Sequence, residues 1–269
     1  MTVSTSTPRT DGSAVAPIPS VGALPGFGGL VRKELMEWSR GRRTWVAFLV
    51  SAMFMTLTAL NAWLQTVLPA EATEGAPSVT DPMTILVGAV SGQIFVVVAV
   101  FAVMGILVAE RDSGILAWTA SKPVSRTGIW LAKFSSATTV LWIVAGVLPL
   151  IATAALVVVL YGSLPIVPVV LMAAGTGMAI ALFVGIALAA STVVTSQAAV
   201  AAIAIGAMFL PQLLGLIVPS AEFLPMSILQ WSIVTGIEGG AGFVTPLSWA
   251  ITLTALVAFS VRRMERMEL

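Results

Sequence analysis

Side chains able to perform covalent or metal chemistry are scarce in this chain. There is no histidine and no cysteine, which removes imidazole and thiolate metal ligands, Cys and His nucleophile pairs, disulfides and any histidine proton relay. None of the three lysines, Lys33, Lys122 and Lys133, follows a glycine, so the Gly-x-x-x-x-Gly-Lys-Ser/Thr phosphate loop is absent. No catalytic residue and no metal site is expected, and any ATP used would be bound by a partner. What remains is charge, and it is concentrated. Only 9% of the chain is charged, yet the stretch AERDSGILAWTASKPVSRTGIW, residues 109 to 130, carries Glu110, Arg111, Asp112, Lys122 and Arg126. Ile115, Leu116 and Trp118 form an apolar face after Gly114, and Lys122 to Arg126 reads as a turn because Pro123 disfavours helix at Lys122. A short helix with apolar residues between charged turns has the make-up of a protein docking surface. The other reading is an ordinary basic loop with a stacked tryptophan.

The surroundings of that stretch are membrane. With 58% hydrophobic residues and a mean hydropathy of +1.03, the chain lies far from soluble composition. A helix crossing a hydrocarbon core of about 30 Å needs roughly 20 apolar residues. Six runs qualify, at about 44–68, 83–109, 128–161, 164–190, 197–218 and 243–261. The third is longer than a span requires and contains Pro149, which points to a kink, a tilt or an extension beyond the membrane. The fold class is therefore an all-α polytopic membrane protein with six transmembrane helices (44–261). Residues 1–26, rich in Ser, Thr, Pro and Gly, form a disordered cytoplasmic tail and 262–269 a cytoplasmic C-terminal tail.

Basic residues favour cytoplasmic loops. With both termini inside, Arg9, Arg32, Lys33, Arg40, Arg42 and Arg43 precede span one, Arg111, Lys122, Arg126 and Lys133 flank the loop between spans two and three, and Arg262, Arg263 and Arg266 follow span six. The opposite loops hold only acids, among them Glu71, Glu74, Asp81, Glu222 and Glu238. Lys133 is the one ionisable residue within a span, expected to snorkel from the first turns of span three. So little intramembrane charge counts against an ion channel or a proton-coupled carrier.

Other segments flank the spans. Over 27–43, Phe27, Leu30, Val31, Leu35 and Trp38 recur at helical spacing, with Arg32, Lys33, Glu34, Glu37 and Arg40 on the other faces. This is an amphipathic helix suited to the cytoplasmic lipid interface, as an anchor or a contact for a partner subunit. In span four Ala173, Gly177, Ala181, Gly185 and Ala189 make a ridge of small residues, expected to serve packing within the subunit. Gln93 and Gln212, toward the outer halves of spans two and five, are the candidates for a substrate pathway. The outer loop at 219–242 is too apolar to be free and too interrupted to span, which predicts short re-entrant helices.

The stretch resembles the first cytoplasmic loop of the membrane subunits of type-two ATP-binding cassette (ABC) exporters. In these a Glu-x-x-x-Gly-x-Leu segment leads to a Pro-Val-Ser-Arg turn and a Gly- or Ala-Lys pair entering span three. Here the residues are Glu110, Gly114 and Leu116, then Pro123-Val124-Ser125-Arg126, then Ala132-Lys133; Arg32-Lys33-Glu34-Leu35 followed by Arg40-Gly41-Arg42-Arg43 is similar to the family's approach to span one. The resemblance covers about residues 28 to 266. Ile115 and Ala117 depart from the Thr and acidic residue that the family often has there. The resemblance implies a permease subunit, not itself an enzyme, that pairs with a second permease subunit, identical or related, and with two cytoplasmic ABC ATPase subunits that bind ATP and Mg. The loop at 110–127 would couple them, with Ile115, Leu116 and Trp118 as packing contacts and Glu110, Arg111, Asp112 and Arg126 as polar ones.

Alternative readings are a family permease that supports maturation of a periplasmic enzyme, a secondary carrier without ATP, and a non-transporting scaffold. No nucleic acid partner is expected, and membrane lipid surrounds the spans. Uniformly apolar spans suit an amphiphile better than an ion, and the size of a half-transporter fits a bacterial inner membrane.

Overall fold

The computed structural model describes residues 26–67, 81–121, 124–217, 224–238 and 242–267. The N-terminal tail, Lys122 and Pro123, and residues 219–223 and 239–241 of the outer loop lie outside them. All regular elements among the described residues are helical, and six helical segments are long and apolar enough to cross a membrane.

Helix α1 (Phe27–Arg40) is joined through Gly41 to α2 (Arg42–Val67), the first span. At this corner the Thr44 hydroxyl donates to the Trp38 carbonyl at 2.5 Å. The second span, Pro82–Asp112, is built of three helices: α3 (Pro82–Ser91), α4 (Ile94–Val103) and α5 (Ile106–Asp112). It starts where the Asp81 carboxylate accepts from both the amide and the hydroxyl of Thr84 at 2.8 Å, leaving Pro82 at the first helical position, where its missing N–H is harmless. The span breaks first at Gln93, whose φ of 51° is the one positive value at a non-glycine among the described residues. It breaks again at Gly105, where an added Cβ would lie 3.0 Å from the Gln197 amide oxygen.

After α6 (Ile115–Ala120), the third span runs through α7 (Arg126–Leu141), a π-helical turn (Trp142–Val147) and α8 (Leu148–Tyr161). Pro149 removes a backbone donor and its ring crowds the carbonyl of residue 145, which belongs to the widened turn. The turn takes up the misfit, so the helix continues without losing its path.

The centre of the bundle is α9 (Ile166–Ser191), the fourth span, whose Ile180, Leu182, Phe183, Val184, Ala187 and Leu188 are all fully buried. Close approach depends on its small residues. The Trp142 indole donates to the Ala173 carbonyl at 2.8 Å, and a Cβ on Gly177 would sit 2.7 Å from that indole nitrogen. Leu253 is met at 3.2 Å by a Cβ built on Gly185. The expected ridge thus packs within the chain at these positions.

Helix α10 (Gln197–Gly215) forms the fifth span and α12 (Val244–Glu265) the sixth. Between them a 3-10 turn (Pro225–Ser227) leads into α11 (Ile228–Glu238). Ser232 lies against Gly175 and Gly236 against Pro168 of α9, so the two helices run antiparallel. Ser232 therefore sits about 14 Å inside the first residue of α9, and the end of α11 returns toward the level of that residue. The large exposed side chains on span faces, such as Leu49 and Met53 of α2, Val167 and Val170 of α9 and Leu247 and Ile251 of α12, fit contact with acyl chains.

Two measurements check these contacts. A Cβ on Gly175 would be 1.9 Å from the Ser232 hydroxyl, so Gly175→Ala is expected to lower stability by about 1–3 kcal/mol in thermal unfolding in detergent, and Ser232→Gly to restore part of it. The bonds from Thr84 hold the Asp81 carboxyl below its ordinary pKa. Its capping contribution is then present at neutral pH and lost as pH falls through that lowered value, and Asp81→Ala is expected to remove about 1 kcal/mol at pH 7 while abolishing this acid dependence.

Candidate functional site

The charged loop joins α5, α6 and the start of α7, at the end of the bundle where α1, the α9–α10 turn and the last turn of α12 also meet. Gly114 divides α5 from α6 with a φ of 73°, a left-handed conformation that a Cβ would strain. Its N–H donates to the Arg111 carbonyl while its own carbonyl accepts from Trp118. The reversal turns α6 so that Ile115 and Trp118 are 47% and 64% exposed, whereas Leu116 is 1% exposed. Leu116 therefore packs into the chain itself, and the outward apolar face consists of Ile115 and Trp118.

At the far end of the loop, Ser125 caps α7 by accepting from the Gly128 amide at 3.0 Å. Val124 packs beside Gly26 at the start of α1. The Arg126 guanidinium reaches across to the last turn of α12 and donates to the carbonyls of Met264, Glu265 and Met267 at 3.4, 3.3 and 2.6 Å. Helix C-termini leave their final carbonyls without partners, and Arg126 supplies both donors and the favourable charge. Thr127 adds a bond to the Glu265 carboxylate at 3.2 Å. From α5, Arg111 donates to the Val194 carbonyl in the α9–α10 turn at 3.0 Å. Asp112 is exposed beside it.

The centre of this region is Lys133. Instead of snorkelling to water, its ammonium is buried, with 3% of the side chain exposed, between the carboxylates of Glu34 at 2.9 Å and Glu110 at 2.6 Å. The cause is geometric: α1 packs along α7 and covers the lysine before it can reach solvent. Glu34 is itself only 6% exposed, on the inner face of α1 rather than among the outer polar residues, where sequence reasoning put it. The signal was present, because Glu34 lies four residues from both Leu30 and Trp38 and so falls within the apolar stripe. Each of these three charges stands in a different segment of the resemblance, and the structure brings them into one cluster.

The amide candidates are elsewhere. Gln93 occupies the α3–α4 break and is half-buried. Gln212 is exposed, and with its amide oriented to satisfy its neighbours it donates to the Met208 and Phe209 carbonyls of its own helix at 2.9 and 3.2 Å. Neither meets the charged loop. Pro123 lies outside the described residues.

Comparison with protein-family models matches residues 29–266 to the ABC-2 family transporter protein, which takes in α1, all six spans and the charged loop. The chain belongs to the ABC-2 family. No curated protein matches it. An ABC-2 permease is a membrane subunit, and the region just described is where two motif stretches of this ABC-2 chain, around Glu34 and Glu110, converge on Lys133.

Breaking a buried ion cluster by removing one partner strands charge in a poorly solvated place, at about 3–5 kcal/mol. Lys133→Met is therefore expected to destabilise the ABC-2 chain by that order, or to abolish its accumulation in the membrane. Adding Glu34→Gln and Glu110→Gln to Lys133→Met should recover most of the loss in thermal unfolding of detergent-purified protein, since no unpaired charge then remains.

Proposed function

We propose that this ABC-2 permease is half of the membrane portion of an ATP-driven exporter, working in a bacterial inner membrane with both termini in the cytoplasm. A second permease subunit, identical or related, completes the pathway, and two separate cytoplasmic ATPase subunits bind and hydrolyse ATP with Mg. The loop at 110–127 is the coupling element, with Ile115 and Trp118 seated against the ATPase.

The observation that carries this reading is how the loop is tied down. A docking helix transmits movement only if its displacement is resisted by the elements that must move. Here Glu110 joins it to α1 and α7 through Lys133, Arg111 joins it to the turn between spans four and five, and Arg126 joins it to span six. A push on Ile115 and Trp118 therefore reaches spans two to six through short, charge-assisted contacts. Closure of the ATPase pair on ATP shifts the two membrane halves between inward- and outward-open states, the energy coming from differential nucleotide contacts. The breaks at Gln93 and Gly105 and the π turn before Pro149 divide spans two and three into shorter rigid pieces that such a shift can reorient.

The test separates outward contacts from inward ones. Affinity purification from membranes in mild detergent, with mass spectrometry of the accompanying chains, is expected to yield an ATPase with a phosphate loop. Trp118→Asp and Ile115→Asp should remove it while leaving the melting temperature unchanged, whereas Leu116→Asp should lower the melting temperature because that side chain is internal. If no ATPase accompanies the native chain even after crosslinking in the membrane, the ATP-driven reading is wrong, and a carrier or a scaffold takes its place.

A further inference from the structure

Beside the Lys133 cluster the structure holds a cavity of about 400 Å³, open on one side and lined by Glu34, Glu37 and Trp38 of α1, Arg42 and Arg43 at the start of span one, and Glu110 of α5. Its volume is in the range of small-molecule sites, and its charge is divided. At the floor, two carboxylates share one ammonium, leaving one excess negative charge in a place of low solvation. Glu37 adds a carboxylate that pairs with the exposed Lys33 at 3.1 Å. At the rim, Arg42 and Arg43 have no carboxylate within 4.0 Å among the described residues, and they stand at the N-terminus of α2, where the helix dipole favours an anion. Below them α2 presents Trp45, Val46 and Leu49, all more than half exposed, on a helix that crosses the membrane.

We propose that this cavity binds the headgroup of a zwitterionic aminophospholipid. The ammonium of its ethanolamine enters toward Glu34, Glu37 and Glu110, the phosphodiester meets Arg42 and Arg43, and the acyl chains descend along Trp45, Val46 and Leu49. The divided charge selects against the two simpler occupants. An anionic headgroup without an amine would leave the excess negative charge of the floor without a cation, and a free cation would leave the arginines unanswered. The apolar surface below the rim decides for a membrane lipid over a soluble phosphoamine. This inference does not depend on which partner drives the protein.

The test is native mass spectrometry of delipidated full-length protein titrated with equal amounts of phosphatidylethanolamine and phosphatidylglycerol, followed by soluble glycerophosphoethanolamine. Phosphatidylethanolamine is expected to be retained with about tenfold preference, the scale of one charge-assisted hydrogen bond. The paired substitution Arg42→Ala and Arg43→Ala should remove most of the retention of phosphatidylethanolamine. Glu34→Gln leaves Lys133 paired one to one with Glu110 and should erase the preference over phosphatidylglycerol, as Glu37→Gln should in part without touching the buried cluster. Arg262→Ala, a basic residue outside the cavity, should change nothing. Equal retention of the two lipids by the native chain, or unchanged preference in both glutamate variants, overturns the proposal; glycerophosphoethanolamine binding as tightly as the lipid overturns the lipid as its occupant.

Discussion

One buried ammonium between two carboxylates organises the end of this molecule that carries the charged loop. Lys133 lies in the third span, Glu110 at the end of the second and Glu34 on the helix that precedes the first. A charge withdrawn from water gains little net stability over an apolar substitute, because desolvation offsets attraction. What such a cluster provides is position. Apolar faces slide over one another at little cost, whereas an ammonium with two short bonds tolerates few arrangements. It locks α1 onto α7 and fixes the level at which span two ends, and the loop that follows inherits that registration.

The rest of the bundle is held by shape. In a membrane, apolar surface gains nothing by leaving lipid, so close contact and internal hydrogen bonds decide which helices touch. Span four shows both. Gly175 and Gly177 admit Ser232 and Trp142 to distances that a methyl group would block, Gly185 lets Leu253 approach closely, and indole donors from Trp142 and Trp249 satisfy the carbonyls of Ala173 and Met178. Among the described residues, the breaks beside Gln93 and at Gly105 lie against α2 and α10, and the π turn against α9.

Much of this was legible in the sequence because membrane solvation acts on long runs. Six apolar segments appear where apolar runs of sufficient length occur, and the small residues of span four serve the contacts their spacing implies. The charged loop was legible as a short apolar helix between charged turns, and its resemblance to ABC-2 subunits pointed to the same residues. What was not legible was direction. Leu116 and Trp118 are two residues apart, and only the left-handed turn at Gly114 decides that one faces in and the other out. Glu34 looked like one more surface charge because periodicity alone does not say which neighbour waits opposite a stripe. The partners of Arg111 and Arg126 are backbone carbonyls, which carry no residue signature, so no pattern of side chains could have indicated them.

The grip of Arg126 on the end of the last helix also sets an order of events in the making of the protein. The guanidinium and the first carbonyl it holds are separated by 138 positions in the chain, and synthesis runs from the N-terminus. When the loop between spans two and three has left the ribosome, the helix it will clasp does not yet exist, and Arg126 stays hydrated until span six arrives. This end of the bundle is thus completed only when span six has been made. A permease without span six carries a loop whose far end is untied, and Arg126 gains its carbonyl partners only after that helix has formed.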